Sequence, residues 1–173
     1  MNNYRGIKRW DLLLAVAMLT GCAGMGSPKT AEEFRQMMNT SSFRSKDSYE
    51  VARPLADVSA TLRKKSAECL NIAIEWTNSK GRSGVITYKP TFVAGTSRAE
   101  LHVQRKPEGG GEIVIGAPPD GEYRVVLDAI ALSKSRTRID EYLLSPIDDK
   151  FLASALLGWA KGDNLGCPDL TRR

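Results

Sequence analysis

Along most of the chain apolar residues recur with a period of two between turn clusters, and helical periods flank that region. Tyr49-Glu50-Val51-Ala52-Arg53 alternates and predicts a strand. Pro54 suits the first turn of a helix, and Leu55, Val58, Leu62, Cys69 and Leu70 then share one face, opposite Arg63, Lys64 and Glu68. Lys65 and Ser66 interrupt the middle of that stripe. Ile72, Ile74 and Trp76 alternate again, Asn78-Ser79-Lys80-Gly81 predicts a turn, and residues 85–93 a strand in which Pro90 demands an edge or a bulge. Ala99, Leu101 and Val103 alternate with Arg98, Glu100, His102 and Gln104, the mark of a strand with one wet face. Pro107-Glu108-Gly109-Gly110-Gly111 reads as a flexible tip, residues 113–115 as a brief strand, and Pro118-Pro119-Asp120-Gly121 as a turn.

Tyr123, Val125, Leu127 and Ala129 share a strand face, and residues 137–144 form the last strand, with Ile139 and Leu143 on one side. A second helix follows. Ser145 suits its N-cap, Pro146 its first position, and Asp148 and Asp149 the positive end of its dipole. Ile147, Phe151, Leu152, Ala155, Leu156 and Trp159 make a broad apolar face, and Gly162 is the stop. The order strand, helix, strands, helix predicts an α+β fold: a mostly antiparallel sheet of four to six strands with two helices packed on one face. That element order resembles helix-grip domains and the fold of TATA-binding protein, as in domains of some outer-membrane assembly lipoproteins. The resemblance carries no residue motif, so it implies no functional positions.

The beginning of the chain is of another kind. Arg5, Lys8 and Arg9 precede an apolar run at residues 12–19, and Thr20 and Gly21 are small. Eight apolar residues are too few to span a bilayer, which needs about 20 in a helix. Asp11, at the border of the two zones, departs mildly from the export pattern. The tetrapeptide Leu19-Thr20-Gly21-Cys22 resembles the lipobox of bacterial lipoproteins. That resemblance implies cleavage before Cys22, a diacylglycerol on its thiol and a membrane partner reached through that lipid. Ala23 stands where an aspartate would favour retention at the inner membrane, which in a Gram-negative host implies the outer membrane, periplasmic face.

Residues 1–21 are therefore expected to be a signal peptide, 22–48 a lipidated tether and 49–173 one α+β domain. In the tether, Thr30 and Glu33 form a capping box ahead of Phe34, Met37 and Met38. The short helix so predicted has three uses: docking on the domain, the plainest one, lying on the membrane, or gripping a partner. A fully flexible segment of this length would span about 28 Å.

Composition narrows the functions. The formal charge is +5, and residues 1–21 hold three basic residues and one acidic, leaving +3 for the remainder, too slight to argue for nucleic acid. Of three cysteines, lipidation would take Cys22 and leave Cys69 and Cys167 to pair in an oxidising compartment or to stay as separate buried thiols. A bond closing so long a loop stabilises by up to about 4.7 kcal/mol in the chain-entropy model.

No catalytic or metal-binding set emerges. His102 is the single histidine, on the wet side of its strand, and no nucleophile elbow, Cys-x-x-Cys or histidine pair accompanies it. Gly109-Gly110-Gly111 lacks the Lys-Ser/Thr of a phosphate loop, and Asp148-Asp149 point apart on a helix. Arg98, Arg105, Lys106, Arg124, Lys134, Arg136 and Arg138 lie at outward strand positions, interleaved with Glu100, Glu122, Asp128 and Asp140, the look of a mixed solvated face.

The expected protein is a non-catalytic interaction module without cofactors, anchored at the outer membrane and serving an envelope protein partner. The alternative is a binder of a small amphiphile, with Trp76, Phe92, Tyr123 and Trp159 filling or lining a cavity between helices and sheet.

Overall fold

The alternation at Ala99, Leu101 and Val103 becomes the middle of β4 (Arg98–Gly109), between β3 (Ser83–Ala94) and β5 (Glu122–Ser133). The computed structural model describes residues 26–40, 45–111 and 114–171. With β2 (Ile72–Thr77), β6 (Arg136–Leu143) and β1 (Ser45–Val51), the strands form one open antiparallel sheet of order β1-β6-β5-β4-β3-β2. β2 to β6 run as a meander, so β1 and β2, neighbours in sequence among the strands, hold opposite edges. α2 (Leu55–Cys69) bridges them, and α3 (Lys150–Lys161) packs against it. Both helices share a core with one sheet face, where Val58, Leu62, Leu101, Leu127, Ile139 and Trp159 are sealed from solvent. α1 (Ala31–Thr40) lies on the other face, against Val126 and Tyr142. Val125 and Val126, successive residues of β5, thus enter different cores.

Fold class, strand number and direction agree with the sequence, and several local readings change. Ser66 does not break the stripe of α2; it is buried within it, its hydroxyl donating to the Arg63 carbonyl at 3.2 Å. β2 pairs with Ser83 to Tyr88 alone, so the rest of β3 is an edge on that side, where Pro90 is tolerated. Val114 and Ile115 belong to a loop rather than a brief strand, and Ile113 lies outside the described residues. The Gly109-Gly110-Gly111 tip is more than a flexible turn: Gly110 has φ +64°, and a Cβ there would run into the Trp76 ring.

α3 begins at Lys150, later than Ser145 and Pro146 suggest. Ser145 caps a separate turn, taking the Asp148 amide at 3.3 Å, while the Asp149 carboxylate accepts the Ser145 amide at 3.1 Å. Ile147, expected on the apolar face, is consequently left 79% exposed. At the other end Gly162 stops the helix as expected, with φ +89°, and Arg53 donates to the carbonyls of Trp159 and Ala160 at 3.1 and 3.0 Å. A Cys69–Cys167 disulfide then ties the tail to the end of α2, closing a separation of 98 residues.

A titratable carboxyl is also buried on the helix-covered face of the sheet. Glu141 of β6 follows Ile139 and precedes Leu143 on the inward face, and its Oε1 has no hydrogen-bond partner among the described residues. Burial, with the nearby Asp47 charge added, pushes its carboxyl up to about 8. The unfolded chain releases the same proton at about 4.3, so between the two values the folded state binds more protons. Stability should therefore fall as pH rises through that window and level off above it. Urea unfolding of the oxidised protein is expected to show Glu141→Gln more stable than wild type by about 1–3 kcal/mol at pH 8, converging at pH 4.5. Parallel curves for the two proteins would contradict this assignment.

Candidate functional site

The outer face of the sheet carries a connected cluster of ion pairs that no local motif marks. Arg35 of α1 is buried and reaches Asp128 in the middle of β5 with two bonds, Nε to Oδ2 at 3.0 Å and Nη2 to Oδ1 at 2.7 Å. The same Nη2 also donates to Glu100 of β4. Arg98 closes the ring, with Asp128 at 2.9 Å and Glu100 at 3.4 Å. His102 places Nε2 3.1 Å from the Glu100 carboxylate and stands edge-on to Tyr123, whose ring in turn lies 5.7 Å from that of Phe34. Burial alone would raise the Glu100 carboxyl, but hydrogen bonds from Arg35 and His102 and the charges of Arg35 and Arg98 outweigh it and hold it below the usual range. The Arg35 guanidinium is correspondingly held above its ordinary value: burial alone would lower it, and the bonds to Asp128 and Glu100 prevail.

His102 thus does not sit on an open surface. Its strand face is covered by the helix predicted within the tether, which docks through Phe34, Met38 and the Arg35 clasp. The segment read as tether, residues 22–48, also supplies the first residues of β1. A signal for the second covered face was present: Val125-Val126-Leu127 is an unbroken apolar run, and β5 is buried continuously from Val125 to Ala129. Asp128 inside that run marks the place where a covering element has to bring a cation.

A second cluster occupies the helix side. The register between β4 and β5 passes from Val103↔Val125 to Gln104↔Tyr123, so Arg124 is bulged out of the pairing. The bulge sends Tyr123 to the outer face, away from Val125, contrary to the simple alternation. Arg124 turns to the helix side, where it bonds Asp149 at 2.9 Å and Glu122 at 3.2 Å, and Arg105 meets Glu122 at 3.1 Å. These arginines, with Tyr88, Asp149, Leu152 and Leu170, line a cleft of about 210 Å³. Pockets for drug-sized ligands usually measure about 300–1,000 Å³, so this one cleft is smaller than those. Trp159 is sealed in that core, Trp76 and Phe92 pack against it, and Tyr123 lies on the opposite face.

Three of the remaining basic residues are similarly matched: Lys106 with Glu108 at 3.0 Å, Arg136 with Glu50 at 3.5 Å, and Arg138 with Asp140 at 3.1 Å, while Lys134 is exposed. Arg105 and Arg124, expected outward, are the two that face the helices. Cys69 and Cys167 are joined, and Cys22 lies outside the described residues.

No protein-family model and no curated protein matches the chain. Among solved structures it is similar to an uncharacterised protein from Rhizobium leguminosarum, at 10% identity and a TM-score of 0.30, over 68% of this chain and 95% of the other. At that score nothing of function is carried across.

The clasp makes a sharp mutational signature. Arg35→Met leaves Asp128 and Glu100 short of a cation at a buried site and is expected to destabilise the domain by about 2–4 kcal/mol. Amide exchange should accelerate in Ala31–Thr40 before it does in β3 to β5. Arg35→Lys should recover a part only, because an ammonium cannot make the forked pair with Asp128. Unchanged exchange in the helix after Arg35→Met would show that the clasp does not hold it.

Proposed function

We propose that the chain is an outer-membrane-anchored periplasmic lipoprotein whose α+β domain is a non-catalytic interaction module for another envelope protein. The observation that carries this reading is Leu19-Thr20-Gly21-Cys22 placed directly behind a basic start and a short apolar run, with Ala23 after the cysteine. The Cys69–Cys167 disulfide supports it, since such bonds persist in oxidising compartments such as the periplasm. The single histidine lies 3.1 Å from the Glu100 carboxylate in the clasp, a contact that suits the non-catalytic reading. Two helices on one face of an antiparallel sheet also fit the helix-grip resemblance in element order. A lipid anchor there has a physical task, to hold a small domain at the bilayer, because each buried methylene contributes about 0.8 kcal/mol and several chains together hold durably.

The decisive comparison is wild type against Cys22→Ala. Wild type is expected to take up labelled palmitate and to fractionate with outer membranes, while Cys22→Ala takes up none and leaves the membrane fraction. Identical labelling and fractionation of the two would overturn the anchor. Crosslinking in intact cells, followed by solubilisation, should recover one stoichiometric envelope protein; recovery of the chain alone would remove the interaction module.

A further inference from the structure

We propose that one end of the sheet, where the N-terminal segment joins the domain, rests on the lipid surface, with Ile115 and Ile147 inserted among the headgroups. This deepens the lipoprotein reading and rests on it. The two residues are the most exposed large hydrophobics of the described chain, at 83% and 79%. They come from different connections, Ile115 from the loop between β4 and β5 and Ile147 from the turn before α3.

Topology brings them to the same end. Gln104 faces Tyr123 across β4 and β5, Val125 faces Leu143 across β5 and β6, and the Leu144 amide donates to the Arg124 carbonyl at 2.9 Å. The loop after β4, the start of β5 and the turn after β6 therefore lie together. The N-terminal segment is fastened to that end as well. The Ser27 hydroxyl donates to the Ile115 carbonyl at 3.3 Å, Lys29 donates to the Gly116 carbonyl, and Gly26, Ser27 and Pro28 share a groove with Leu144.

Chain length then selects the occupant. Cys22 stands four residues before Gly26, and four residues reach at most about 14 Å. A diacylglycerol on Cys22 would hold this end of the domain, and no other, within headgroup distance of the bilayer. Val93 and Leu132, also exposed apolar residues, sit at the opposite end, toward the hairpins that join β3 to β4 and β5 to β6. Isolated apolar tips beside a lipid attachment suit a fluid surface, whereas a protein partner is usually met by a contiguous packed patch.

The test uses the lipidated chain reconstituted into vesicles of phosphatidylethanolamine and phosphatidylglycerol, with and without brominated acyl chains. Ile115→Trp and Ile147→Trp are expected to lose emission in brominated vesicles beyond the change seen in wild type, and Val93→Trp is not. An equal response at all three positions, in a protein that floats with the vesicles, would overturn the proposed orientation and leave the anchor standing. Failure to float would instead overturn the anchor reading, and this inference with it. Hydrogen exchange needs no tryptophan: amides of residues 114–121 should slow in reconstituted wild type relative to the unlipidated Cys22→Ala chain. In an Ile115→Asp, Ile147→Asp double variant that still floats, that slowing should vanish; its persistence would count against insertion.

Discussion

The buried pair of Arg35 and Asp128 is the constraint on which the outer half of the molecule depends. Asp128 sits in the middle of a strand buried on both faces, only 3% exposed, so its charge has to be met from above the sheet. An isolated carboxylate there would be untenable, and its removal from water is offset by Coulomb attraction and well-aligned hydrogen bonds. Such a pair contributes little net stability, because desolvation of both ions consumes most of the attraction. Its value is geometric. Phe34 and Met38 supply the burial, about 1.5–3 kcal/mol each when fully covered, but a smooth apolar contact fits several helix positions. A forked arginine–carboxylate pair fits one. Glu100, Arg98 and His102 extend the same restriction across two strands.

Charge also overrides local propensity on the other face. The bulge at Arg124 turns a guanidinium under the start of α3, where it holds Asp149. Asp149, so held, also accepts the Ser145 amide, and a capped turn stands where the first turn of helix was expected. A residue meant by its spacing to face the core is thereby pushed outward. Ile147 is exposed as a consequence of an ion pair formed two residues later. The same physics acts twice: a buried charge dictates where a helix lies in one case and where it begins in the other.

What was legible in the letters follows from this. Alternation at Ala99, Leu101 and Val103, the periodic face of α2, and the Gly162 stop depend on local pattern, and each appears where expected. Parity left two readings for Cys69 and Cys167, a bond or separate buried thiols, and the structure has the bond. Features fixed by partners distant in sequence were not legible. Arg35 and Asp128 are 93 residues apart, and neither carries a sign of the other except that an acid inside an apolar run asks for a cation. The bulge that moves Tyr123 to the outer face has no local residue signature, since it arises from how β4 and β5 fit together. Ser66 was misjudged for a different reason: a serine whose hydroxyl is satisfied by its own helix behaves as a small core residue.

The clasp changes what a lipid on Cys22 would do mechanically. A flexible segment of 26 residues would let the domain wander about 28 Å from the surface in any orientation. With α1 docked, most of that segment is part of the folded body, and only three residues separate Cys22 from Gly26. A lipid anchor restrains a single point, and a single point close to one end of a sheet restrains direction as well. β3, β4 and β5 are each 12 residues long, so the far hairpins stand about 40 Å from the attached end. On the proposed anchoring, the far end is the part of the domain offered to the periplasm. Orientation would then depend on the Arg35 pair more than on the lipid: undocking α1 would return the lost slack and free every surface to turn toward the bilayer.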